Sequence, residues 1–286
     1  MTTTLAPSIY EGLQPARDRL RVRMAPGSRW SVDRRVRREE ILAVRGVSIR
    51  FGGLQALDDV SLVARAGEVT GVIGPNGAGK TTFFNCISGL YTPDQGEITF
   101  EGRPLPGSVV ARGRAGLGRT FQTPRLFASL SVLDNLLLGV ATAEAARRDY
   151  AFESALARLV PAERAERIAR LVGFRGDVNR PAGSLAFGEL RVVEFARALC
   201  AAPSLLMLDE PASGLDTDQA ADLVTLVRRL ADLGLAVLLI EHDMAVVMGV
   251  CDTITVLNFG TVLASGTPLE VQADDAVIDA YLGRTA

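Results

Sequence analysis

The chain has 286 residues, enough for one large domain or two small ones around a buried core. Hydrophobic residues make up 48% and charged residues 22%, and a formal net charge of -2 gives no global basic field to recruit nucleic acid. No apolar run approaches the roughly 20 residues of a membrane-spanning helix, so any membrane crossing falls to another chain. Cys86, Cys200 and Cys251 are too far apart for a zinc spacing or a disulfide framework, and they read as small core residues of a cytosolic protein. His242 is the single histidine.

In chain order, residues 1–40 stand apart. They hold nine arginines (Arg17, Arg19, Arg21, Arg23, Arg29, Arg34, Arg35, Arg37 and Arg38) against five acids, with few periodic apolar positions. This composition is that of a solvated, disordered extension, and it also suits contact with anionic lipid headgroups. No apolar segment follows, so it is not a secretory signal. Residues 41–286 form the folded unit. Val47, Ile49 and Phe51 alternate, as do Val60 and Leu62, with Gly52-Gly53 between: antiparallel strands at the domain edge. Glu68 to Ile73 is a short apolar strand, Thr82 to Leu90 a helix, and Pro93 to Gly96 a turn into the strand Glu97 to Phe100. Residues 123–201 are rich in Ala, Leu, Arg and Glu and read as a helical insertion, with a helix from Leu190 to Cys200. Leu205 to Leu208 and Leu235 to Ile240 are buried strands around the amphipathic helix Asp218 to Leu233, which Gly234 stops. Thr267-Pro268-Leu269-Glu270 is a capping box opening the short helices of residues 267–283. Strands alternating with helices around a glycine-rich turn predict an α/β fold with a parallel core, an antiparallel β subdomain and a helical insertion.

Gly74-Pro75-Asn76-Gly77-Ala78-Gly79-Lys80-Thr81 satisfies the G-x-x-x-x-G-K-[ST] pattern of a phosphate-binding loop between strand and helix. Its glycines let backbone N–H groups turn towards phosphate oxygens at the positive end of the following helix. Lys80 suits the β and γ phosphates, and the Thr81 hydroxyl suits Mg²⁺. A buried strand delivers Asp209 and Glu210 to its C-terminal end, where ligands of open α/β sheets bind. Asp209 fits the Mg²⁺ shell and Glu210 fits polarisation of the attacking water. His242 follows the strand Leu235 to Ile240 and can reach the γ-phosphate and that water, although a lone histidine is more often structural.

With these residues the chain resembles the nucleotide-binding subunits of ATP-binding cassette (ABC) transporters, P-loop ATPases, over about Ile41 to Gly283. Arg119-Thr120-Phe121-Gln122 is similar to the family's Q-loop, Leu185-Ala186-Phe187-Gly188-Glu189 to its signature, Ser213-Gly214-Leu215-Asp216 to its D-loop, and His242 to its switch histidine. Phe51, twenty-nine residues before Lys80, is similar to the aromatic residue that stacks on adenine. The resemblance implies nucleotide contacts from Gly74 through Thr82, with Gln122 sensing Mg²⁺ and the γ-phosphate. The signature departs from Leu-Ser-Gly-Gly-Gln: Ala186 lacks the serine hydroxyl, and Phe187 and Glu189 replace Gly and Gln. The backbone N–H groups of the helix start remain for the γ-phosphate.

Phe51-Gly-Gly-Leu, Phe84-Asn-Cys-Ile-Ser-Gly89, the run Arg119 to Phe127, Ile240-Glu-His-Asp-Met244 and Ala280-Tyr-Leu-Gly283 resemble one branch, the ATP-binding subunits of branched-chain amino-acid importers. That branch implies a second ATPase subunit placing its signature on this chain's ATP, integral membrane permeases, an extracytoplasmic substrate-binding protein, and a peripheral place on the cytoplasmic face of the inner membrane. Leu126, Phe127, Leu130 and Val132 suit either a permease-docking groove or the core. Urea import and lipid export by the same ATPase type stay open. A DNA-associated ABC ATPase needs a long coiled coil, and only 62 residues separate Gln122 from Leu185. A translation-associated one needs two cassettes, and a small-molecule kinase needs no signature, D-loop or switch histidine.

Overall fold

The computed structural model describes residues 39–150 and 154–282. The arginines up to Arg38 and the closing Gly283 lie outside the described residues. β1 (Glu40–Phe51) and β2 (Leu54–Arg65) pair antiparallel across the Gly52-Gly53 turn. β3 (Val69–Ile73) runs into the glycine-rich loop and α1 (Lys80–Ser88), which begins two residues before the expected Thr82. The antiparallel sheet is completed by β4 (Gln95–Phe100) and β5 (Arg103–Pro104), in the order β2-β1-β4-β5.

α2 (Val109–Ala115) then leads into β6 (Leu117–Arg119). Neither was expected, because Leu-Gly-Arg is too short to show a period and becomes a strand only by pairing with its neighbour. Helices α3 (Val132–Ala145), α4 (Pro161–Leu171) and α5 (Phe187–Cys200) follow. α5 starts three residues before the expected Leu190, because Glu189 Oε2 accepts the Ala186 N–H at 3.0 Å and closes the first turn. β7 (Leu205–Asp209), α6 (Thr217–Asp232) and β8 (Ala236–Ile240) complete the expected alternation. α7 (Met244–Val250), the antiparallel pair β9 (Thr253–Asn258) and β10 (Thr261–Gly266), α8 (Pro268–Gln272) and α9 (Asp275–Leu282) close the described chain.

The second sheet has six strands in the order β10-β9-β3-β8-β7-β6, parallel except for the β9–β10 pair. Period-two alternation divides its buried strands between two cores. Leu206, Leu208, Val237, Leu239, Ile254 and Val256 pack with the helices that include α3, α5 and α6. Leu205, Met207, Leu238, Ile240 and Leu257 pack on the other face against Phe83, Phe84 and Ile87 of α1 and the inner residues of β1 and β2. The helix after the glycine-rich loop is thus clamped between two sheets. Val132 belongs to the core, whereas Phe127 and Leu130 are exposed.

Candidate active site

The three parallel strands β3, β7 and β8, joined by β6, end at one edge of the sheet. Each hands its next residues to the same place. Gly74 has φ 148°, and a Cβ there would lie 2.1 Å from the Leu257 carbonyl. Gly79 has φ 102° and is the N-cap of α1 without any side-chain cap, so the first-turn N–H groups stay free for an anion. Asn76, Gly77 and Thr81 are exposed around it, Pro75 and Thr82 are half-buried, and Ala78 is buried. The tip of the β9–β10 hairpin pins the loop: Gly260 N–H donates to the Ala78 carbonyl at 3.0 Å. On α9, burial raises the pKa of the Tyr281 phenol.

Lys80 Nζ donates to the Gly74 and Pro75 carbonyls at 2.7 and 2.9 Å, so the ammonium lies along the loop. Burial lowers its pKa, and the nearby Glu210 and Asp209 carboxylates oppose that shift. Asp209 closes β7 with its Oδ2 3.0 Å from Arg119 Nη2, in a pair whose side chains are only 8% (Arg119) and 12% (Asp209) exposed. Arg119 also donates to Asn85 Oδ1 and Ser88 Oγ on α1, and lies between the rings of Phe84 and Phe121. One buried cation therefore joins β6, α1 and β7.

Glu210 accepts from Gln122 Nε2 at 2.9 Å, and its Oε2 lies 3.7 Å from His242 Nδ1. Gln122, Glu210 and His242, from three different strand ends, meet around one carboxylate. His242 is 63% exposed and open to a ligand. Behind it, the fully buried Glu241 carboxylate accepts the N–H groups of Ala212 at 2.7 Å, His242 at 3.1 Å and Asp243 at 3.4 Å. Phe51 is half-exposed and meets the Tyr91 ring edge-on, centroids 5.1 Å apart.

The segment Leu185 to Glu189 lies at the start of α5, away from this cluster. Among the described residues no hydrogen bond or ion pair joins it to residues 74–82. Leu185 is buried, and Ala186 is the N-cap with no side-chain oxygen, so the N–H groups of Phe187 and Gly188 have no side-chain cap. Glu189 is engaged by the Ala186 N–H and by Arg180 at 3.5 Å. In the 213–216 loop, Gly214 has φ 77°, Leu215 N–H donates to Ala212, and Asp216 caps α6 by accepting the Gln219 N–H at 2.9 Å.

Sequence reasoning assigned no role to Arg119, Arg191, Glu194 or Glu241. Arg119 and Glu241 stand inside quoted motifs, but only strand register sets them beside Asp209 and the Ala212 turn. Glu194, buried on α5, accepts from the Arg125 N–H at 2.9 Å, and burial raises its pKa. Its position inside a helix carries no signal of that partner.

Residues 57–213 match the family described as "ABC transporter". The chain belongs to the ABC transporter family. Residues 261–286 match a second description, "Branched-chain amino acid ATP-binding cassette transporter". The ABC cassette is 43% identical over 255 residues to the high-affinity branched-chain amino acid transport ATP-binding protein LivG of Salmonella typhimurium, covering 86% of this chain and 98% of that one. It is 42% identical to the corresponding protein BraF of Pseudomonas aeruginosa, over 85% and 98% of the two chains. The ADP conformation of MJ1267, an ATP-binding cassette of an ABC transporter, superposes with a TM-score of 0.73 at 32% identity, over 86% of this chain and 99% of that one. The ABC cassette is therefore an ATPase of the ABC transporter family. Among the described residues no helix is long and apolar enough to cross a membrane.

Proposed function

We propose that this ABC ATPase powers import of branched-chain or other hydrophobic amino acids, from the cytoplasmic face of the inner membrane, with an extracytoplasmic binding protein supplying the cargo. The observation that carries the hydrolytic part is the Gln122–Glu210–His242 cluster beside the glycine-rich loop. The cargo rests on likeness to LivG and BraF and on the match of residues 261–286.

In this reading the loop from Gly74 through Thr82 wraps the ATP phosphates, Lys80 turns from its carbonyls to the β and γ oxygens, and Phe51, supported by Tyr91, stacks on adenine. Among the described residues no three His, Cys, Asp or Glu side chains cluster as a metal cage. Thr81, Asp209 and Gln122 are a sparse oxygen set, which suits Mg²⁺ because that ion keeps phosphate and water ligands of its own. When bound, Mg²⁺ neutralises charge on the β and γ phosphates. Glu210 accepts a proton from the attacking water, Gln122 holds the carboxylate by its free amide, and His242 donates towards the γ-phosphate. The N–H groups of Phe187 and Gly188, with Leu185, Ala186 and Glu189 shaping the helix start, serve the partner's ATP. Ser213 to Asp216 line the dimer interface. Phe127, Leu130 and Leu138, exposed at and before α3, dock the permease.

Deletion of the chain in a strain without redundant importers tests the cargo. Uptake of labelled leucine and valine is expected to fall while urea uptake is unaffected. Unchanged leucine and valine uptake would overturn it.

A further inference from the structure

Glu210 has a backbone φ of 47°, in the left-handed region that a side chain with a Cβ disfavours. Such a conformation persists only when neighbours hold it. The Glu210 N–H donates to the Ile240 carbonyl at 2.9 Å, and its own carbonyl accepts from the Ser213 N–H at 3.2 Å. A third holder comes from α5. Arg191 Nη1 donates to the carbonyls of Glu210 at 3.3 Å and Pro211 at 2.7 Å, and Nη2 donates to the Gln122 carbonyl at 3.3 Å. Arg191 thus grips the main chain at both ends of the Gln122–Glu210 side-chain hydrogen bond.

Phe187 stands four residues before Arg191, one helical turn away, with its ring centroid 5.0 Å from the guanidinium carbon. The same ring lies over Gly214, where a Cβ would be 3.9 Å from Phe187 Cε1. The glycine usual at this signature position could cover neither. Phe187 is half-exposed, so its place is not explained by core packing.

We propose that Arg191, steadied by Phe187, is a positioning residue that holds Glu210 in its left-handed turn and sets its hydrogen bond with Gln122. The aromatic departure in the signature then has work within its own chain, apart from any contact with the partner's ATP. This rests on the reading in which Glu210 polarises the attacking water.

The purified full-length chain and its R191Q, R191K and F187A variants test this by steady-state ATPase kinetics, fluorescent-ATP binding and, in a Glu210→Gln background, ATP-driven dimerisation. Losing charge-assisted hydrogen bonds to the turn should lower the R191Q kcat about tenfold or more, with KM and nucleotide affinity within about twofold. R191K recovers part of the loss by reaching one carbonyl, and F187A loses several-fold. ATP-driven dimerisation survives R191Q. Unchanged kcat in R191Q, a loss confined to KM, or loss of ATP-driven dimerisation would overturn the proposal. If R191Q does not fold, R191K decides alone: reduced kcat at constant KM supports it, and unchanged kcat refutes it. Glu210→Gln separates the two levels. If that variant keeps turnover, the reading of the site fails; if it is inactive while R191Q is active, only the positioning role fails.

Discussion

Single side chains in this site are placed by partners that cannot be exchanged freely. Lys80 is held along loop carbonyls, within the field of Asp209 and Glu210. Lys80→Ala is expected to abolish nucleotide binding or nearly so, and a titration with fluorescent ATP that gives the parent affinity would refute this. The cysteines make a different point. All three are buried, and burial pushes the Cys86 thiol up to about 11 and the Cys251 thiol to about 12. Native protein at pH 8 should therefore resist a thiol-alkylating reagent until denatured. The same shifts set a pH dependence. The unfolded thiols ionise above their ordinary value of 9.0 while the folded ones stay protonated, so above that pH the unfolded state binds fewer protons. Thermal stability should fall as pH rises from about 9 towards about 11, and a flat melting profile there would contradict the assignment.

Among the elements, helix starts differ in how their first N–H groups are capped. α1, α4 and α5 begin without a side-chain acceptor at the N-cap, whereas α6 and α8 begin with complete capping boxes. At α8 the Thr267 hydroxyl accepts the Glu270 N–H and Glu270 accepts the Thr267 N–H, which also holds the Glu270 carboxyl below its ordinary value. Thr267→Ala should cost about 1 kcal/mol in chemical denaturation, with ATP affinity unaltered.

At the scale of the molecule, Arg191 links the start of α5 to the Gln122–Glu210–His242 cluster, yet among the described residues no hydrogen bond or ion pair joins residues 185–189 to the glycine-rich loop at 74–82. On the proposed reading, the start of α5 serves the ATP of a second cassette. Glu210→Gln should still bind ATP but lose most turnover, leaving a long-lived ATP dimer visible by size-exclusion chromatography. Near-normal ATPase in that variant, or a monomer at saturating ATP, would sink the role given to Glu210. Arg191 and Glu194 extend the link outward, because both tie α5 to the Gln122 segment.

Local signals were strong wherever chemistry demands a fixed residue order. The loop Gly74 to Thr81, the strand end Asp209-Glu210, and the capping box at Thr267 were legible because a tight turn, an acid at the end of an apolar run and a cap each need specific neighbours in sequence. The short strand β6 was not, since three residues ending in Arg119 show no period until β7 pairs with them. The pairing of Arg119 with Asp209, the three N–H groups on Glu241 and the grip of Arg191 on Glu210 join residues that sequence separates by up to 90 positions. A carboxylate or guanidinium finds its partner through packing, which composition and spacing do not encode, and so these contacts became visible only in the folded chain.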